Sequence, residues 1–138
     1  MAQFSGDTGG READLYRLIA LGQSVFYVLT GIWPLVSIGT FQKVTGAKTD
    51  LWLVKTVGVL VTVIGAVIGM AGVRRHVSPE IPLLAAGSAA SLAAIDVIYV
   101  SKKRIRPVYL LDAAAEVGLI VMWAVAWARL RGGKADDE

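Results

Sequence analysis

The chain reads as an all-α integral membrane protein, a bundle of four transmembrane helices, on three observations. Of its 138 residues 55% are hydrophobic and only 18% charged, and the mean hydropathy is +0.60, too apolar for an ordinary soluble domain. Four apolar segments, at 18–41, 51–73, 79–100 and 107–130, each come near the ~20 residues a helix needs to cross the hydrocarbon core. The charges gather in short clusters between those segments instead of spreading over helix faces.

Residues 1–17 precede the transmembrane domain, which is expected to span 18–131. The opening "MAQFSGDTGG" is polar and Gly-rich, and is expected to be disordered. "READLYRL" then begins an amphipathic lead-in. A cleaved signal peptide is not expected: the leader carries acids as well as arginines, the apolar part is too long, and no small-x-small site follows it. On the first segment Gln23, Tyr27, Thr30, Pro34 and Ser37 form a polar stripe at helical spacing. Such a stripe belongs inside a bundle, and Pro34 can kink the helix there.

The second segment opens with Thr49 or Asp50 as a cap. Gly58, Thr62, Gly65, Gly69 and Gly72 give it one small-residue face, including a GxxxG from Gly65 to Gly69. Close backbone approach at such a face replaces the hydrophobic drive that lipid does not supply. Packing within the chain is the favoured use, with a homo-oligomer interface as the alternative. The third segment starts at Ser78-Pro79-Glu80, a capping residue, a proline at the first helical position and an acid at the positive helix end. Its alanines, with Gly87, Ser88 and Ser91, mark it as the helix to be wrapped by the others. Pro107 opens the fourth and Gly132-Gly133 closes it, leaving 132–138 as an acidic tail. Trp52, Tyr99 and Tyr109 fall at one water interface and Tyr16 and Trp127 at the other.

Composition removes several classes of function. The absence of cysteine excludes disulfides, zinc–thiolate sites and thiol catalysis, and the single histidine, His76, excludes a multi-histidine metal site or a bis-histidine haem. No metal and no cofactor is expected. The net charge is +3, but the basic residues flank apolar runs, where they meet lipid phosphates and set orientation. No basic face with interleaved aromatics suggests nucleic acid, and no Gly-rich phosphate loop or Ser/His/Asp arrangement appears. Arg11, Arg17, Arg74, Arg75, Arg129, Arg131 and Lys134 fall on one side of a four-span topology. Lys43, Lys48, Lys55, Lys102, Lys103, Arg104 and Arg106 fall on the other. That is seven against seven, so a plain count does not orient the protein; either the topology is dual, or the denser third loop sets a preference for loops one and three in the cytoplasm, the favoured reading.

The acids carry the chemistry. A basic knot at Lys102, Lys103, Arg104 and Arg106 separates Asp96 from Asp112 and Glu116. Folding the third and fourth segments into a hairpin about Arg104 puts Asp96 and Asp112 eight residues either side of its centre, hence at one depth. Asp112 and Glu116, four apart, share a helix face with Glu116 a turn deeper. Lys55 enters from the same side. A charged side chain at a helix centre costs about 2.5–3.5 kcal/mol on insertion scales, so these groups are expected to face the interior and each other. Glu116, Asp112, Asp96 and Lys55 are therefore the candidate ligand- or proton-binding groups, with Tyr27, Thr30, Trp33, Ser37 and Tyr99 lining the pocket. A bracing role for the same cluster stands beside this.

"GIWPLVSIGTFQKVTGAKTDLWLVKTVG" (Gly31 to Gly58) and "AAIDVIYVSKKRIRPVYLLDAAAE" (Ala93 to Glu116) resemble a group of small, functionally uncharacterised four-helix bacterial membrane proteins. The likeness rests on Trp33-Pro34, on Val44-Thr45-Gly46 with Lys48 and Asp50, and on Arg106-Pro107 with Asp112 and Glu116. The general plan is also similar to the DoxX-like superfamily. The resemblance implies a compact bundle in the bacterial inner (plasma) membrane, and no activity. The function expected from the residues is binding or transport of a proton, a cation or a lipophilic small molecule, with membrane lipids and a homo-oligomer as partners. Acid/base catalysis on a lipid-like substrate and an accessory or assembly role are the alternatives.

Overall fold

A computed structural model describes residues 5–74 and 77–135, so Arg75 and His76 lie outside the described residues. The described residues form five helices: α1 Ser5–Val36, α2 Ile38–Thr45, α3 Leu51–Val73, α4 Glu80–Ser101 and α5 Tyr109–Ala135. α1, α3, α4 and α5 each contain a stretch long and apolar enough to cross a membrane. The fold is all-helical, and its four long helices make a multi-pass bundle.

Helix α1 departs from expectation at both ends. It already runs from Ser5, through residues expected to be disordered. Extending an existing helix adds one bond per residue ordered, whereas starting one is unfavourable, and here Tyr16 and Ile19 are buried in the core and hold the adjoining turn in place. At the other end the first span stops at Val36 instead of continuing to Phe41. Pro34 lacks the N–H that would bond to Thr30 and its ring crowds the preceding turn. Three residues later Ser37 leaves helical conformation (φ −144°, ψ 82°), and α2 begins. The corner is closed by Trp33 Nε1 donating to Thr40 Oγ1 (2.9 Å) and by the Trp33 and Phe41 rings packed edge to face, centroids 5.4 Å apart.

The glycine face of α3 lies antiparallel against α1. A Cβ on Gly58 would stand 2.6 Å from the Gly31 carbonyl oxygen, one on Gly65 2.8 Å from Tyr27 Cβ, and one on Gly72 3.0 Å from Leu21 Cγ; Gly69 meets Ser24 in the same way. Thr62 keeps its hydroxyl on the Gly58 carbonyl (2.7 Å). Arg17 Nε donates to the Gly72 carbonyl (3.2 Å) and closes the end of α3. This seam is filled within one chain.

α4 and α5 form the other antiparallel pair. α4 turns inward a stripe of Ala85, Ala89, Ala93 and Asp96, and α5 turns inward Ala113, Glu116, Leu119, Trp123 and Ala126. Small residues on α4 let the two backbones approach. The enclosed helix is α1, not α4: 33% of the α1 span is buried, against 22% for α4. α1 uses one side for α3 and presents Tyr16, Ile19, Gln23 and Tyr27 to α4 and α5. Tyr16 is thus core, 7% exposed with its ring 5.7 Å from that of Trp123, and not the interfacial anchor its position suggested. α5 starts at Tyr109 just after Pro107, whose carbonyl accepts from the Leu110 amide (2.9 Å).

Candidate functional site

Three carboxyl groups meet inside the bundle. Glu116, 1% exposed, accepts a 2.8 Å hydrogen bond at Oε2 from the hydroxyl of Tyr27, itself 1% exposed. Asp96 of α4, 6% exposed, faces Asp112 of α5 within hydrogen-bonding reach, and Asp112 and Asp96 both bear electrostatically on Glu116. Asp96 Oδ2 is buried and receives no N–H or O–H bond from the described residues. Its polar neighbour is another carboxyl, which can donate only if one of the two carries a proton.

The helices place these groups by simple periodicity. Asp112 and Glu116 lie on successive turns of the inward α5 face, and Asp96 ends the alanine stripe of α4. Tyr27 lies one turn beyond Gln23 on α1, with its Cβ against Gly65 of α3 and its hydroxyl reaching across to Glu116 of α5.

Below the acids the polar run continues. Gln23 is fully buried; its Nε2 donates to the Ala85 carbonyl (3.0 Å) and its Oε1 accepts from Trp123 Nε1 (2.7 Å). The Trp123 indole in turn forms part of the wall of an apolar groove of about 860 Å³ between α1, α4 and α5, open on the bundle surface where Leu83 and Trp127 are exposed. Tyr16, Leu83, Ile120 and Trp127 line it, and Arg131 sits at its end, its guanidinium 4.2 Å from the Trp127 ring centroid. Acid cluster, Tyr27, Gln23, Trp123 and groove thus follow one another along the bundle.

Lys55 is not part of the cluster. It is exposed on α3, whose inward face is filled by α1, and among the described residues no lysine or arginine pairs with Asp96, Asp112 or Glu116. Of the expected lining, only Tyr27 reaches the acids. Thr30 donates to the Phe26 carbonyl (2.7 Å) of its own helix. Trp33 belongs to the α1–α2 corner, as does Ser37, whose Oγ is 2.8 Å from Thr40 Oγ1. Tyr99 is 41% exposed, with the Lys102 ammonium 5.8 Å from its ring. Gln23 is the group missing from the expected site, although it lies on the polar stripe that pointed to Tyr27. Among the described residues, no three His, Cys, Asp or Glu side chains are arranged to hold a metal ion.

Fold and site together define a four-span helical bundle with an internal acid cluster that no lysine or arginine among the described residues neutralises. Comparison with protein-family models, with curated proteins and with solved structures finds no match to this chain.

Proposed function

We propose that the protein binds a lipophilic cationic small molecule in the membrane and exchanges it for protons at Asp96, Asp112 and Glu116. The observation that carries this is the buried Tyr27–Glu116 bond beside two further carboxyls with no basic partner. An ionised carboxylate at a membrane helix centre costs about 2.5–3.5 kcal/mol, and Glu116, the deepest of the three, carries that cost most fully. Protons or a bound cation remove that cost, and exchange of one for the other is the chemistry such a cluster supports. The apolar groove, within the size range of small-molecule sites, supplies the place for an apolar body.

A hydrated cation entering from the side of loops one and three would first meet Lys48, Lys103, Arg104 and Arg106, which favours a ligand arriving through the bilayer. We also place the protein in a bacterial inner membrane with loops one and three in the cytoplasm, following the basic third loop.

The test is binding of tetraphenylphosphonium to the purified full chain across a pH series. Protons and the probe compete for carboxyl groups, so affinity should rise with pH, and release of protons should accompany binding. Glu116→Gln should flatten that dependence. An undiminished pH dependence in Glu116→Gln would refute the proposal.

A further inference from the structure

We propose that the surface cavity shared by the first and third loops is a binding site for a phosphate group of net negative charge, carried by a lipid or by a soluble molecule. The turn after α2 and the loop between α4 and α5 border an open depression of about 410 Å³. Lys48, Lys103, Arg104 and Arg106 surround this space, and no carboxylate among the described residues lines it. Orienting a membrane protein requires only charge near the span ends. It does not require two loops, distant in sequence, to build one concave basic surface.

The frame of the cavity is specific. Gly46 has φ +100°, and a Cβ there would stand 3.0 Å from Arg106 Nε, so a glycine lets the arginine lie across the turn. Arg106 Nη1 donates to the Lys43 carbonyl (3.4 Å). The Lys48 ammonium donates to the Thr45 carbonyl (3.1 Å) and stands 5.0 Å from the centroid of the Tyr109 ring. Two of the four cations are therefore held in place by the protein. The Lys103 and Arg104 side chains make no hydrogen bond or ion pair among the described residues, and their donors remain for a ligand.

The end of α4 adds an independent point. Lys103 has φ 56°, and the Arg104 amide donates to the Tyr99 carbonyl (2.9 Å), the bonding pattern of a helix cap in which glycine is usual. A lysine there accepts a left-handed backbone conformation that disfavours residues with a Cβ. In return it brings an ammonium to the cavity wall. Guanidinium and ammonium groups converging without acids are the donor set for phosphate oxygens.

The experiment uses the full chain in detergent, titrated with inorganic phosphate, short-chain phosphatidylglycerol and short-chain phosphatidylcholine. Lys103→Gln/Arg104→Gln is compared with Lys43→Gln/Lys55→Gln, which removes the same charge outside the cavity. Phosphatidylglycerol bound in preference to phosphatidylcholine, without inorganic phosphate, identifies a lipid headgroup; inorganic phosphate bound as well, or alone, identifies a soluble source. In each case Lys103→Gln/Arg104→Gln should weaken binding roughly thirtyfold and the control pair less than about threefold. Equal losses in the two variants, indifference between the two lipids without phosphate binding, or no binding of any probe overturns the proposal.

Discussion

At the scale of single residues, the interior is held by polar pairs made across helices. Tyr27 and Glu116 satisfy each other at 2.8 Å, and Gln23 joins Trp123 to the Ala85 carbonyl. Removing one member leaves the other buried without a partner, which costs more than the bond itself is worth. Tyr27→Phe is therefore expected to lower stability by about 1–2 kcal/mol, measured as reversible unfolding in mixed micelles; no loss would mean that Glu116 finds another donor. Sequence made the acids legible because ionisable groups in apolar segments are conspicuous, and the spacing from Arg104 correctly put Asp96 and Asp112 at one depth. It misassigned Lys55 for a physical reason. Position along a helix reports depth and face, but not which neighbouring helix that face will meet.

At the scale of the elements, α3 shows how a face is allotted. Its glycines were recognisable as a seam, and the structure sets that seam against α1 at contact distances too short for any Cβ at Gly58. Gly58→Val should destabilise the bundle by about 1–3 kcal/mol through overpacking. Gly118→Ala, with nothing within 4 Å of its Cβ, should be neutral or stabilising by about 0.5–1 kcal/mol. Thermal unfolding of the two variants side by side tests the seam; equal effects would argue against it. The end of the first span was less legible. A proline inside a membrane helix can be accommodated as a kink, because side chains and neighbouring helices re-satisfy the freed carbonyl, so Pro34 alone does not say that Ser37 will interrupt the helix.

At the scale of the whole molecule, four crossings put Lys43 and Lys102 at one end of the bundle and Arg131 at the other. The chain has no cysteine of its own, so single cysteines at these positions can be labelled without background. A membrane-impermeant maleimide should reach 43 and 102 from one face of sealed vesicles and 131 only from the opposite face. Labelling of all three from the same face would contradict the four-span arrangement. Segment length and apolarity made this plan readable from sequence. The central place of α1 was not, since its share of buried surface comes from having α3 on one side and α4 and α5 on the other.

That central place bears on how the protein is made. The partners that satisfy Tyr27 and Gln23 are Glu116 and Trp123, the latter 100 residues further along. During synthesis the first span must therefore wait, the phenol of Tyr27 and the amide oxygen of Gln23 facing lipid or the insertion machinery, until the last span has entered the bilayer. A nascent chain stalled before α5 would display that unfilled polar face, a mark by which membrane proteases could tell an unfinished molecule from a completed one.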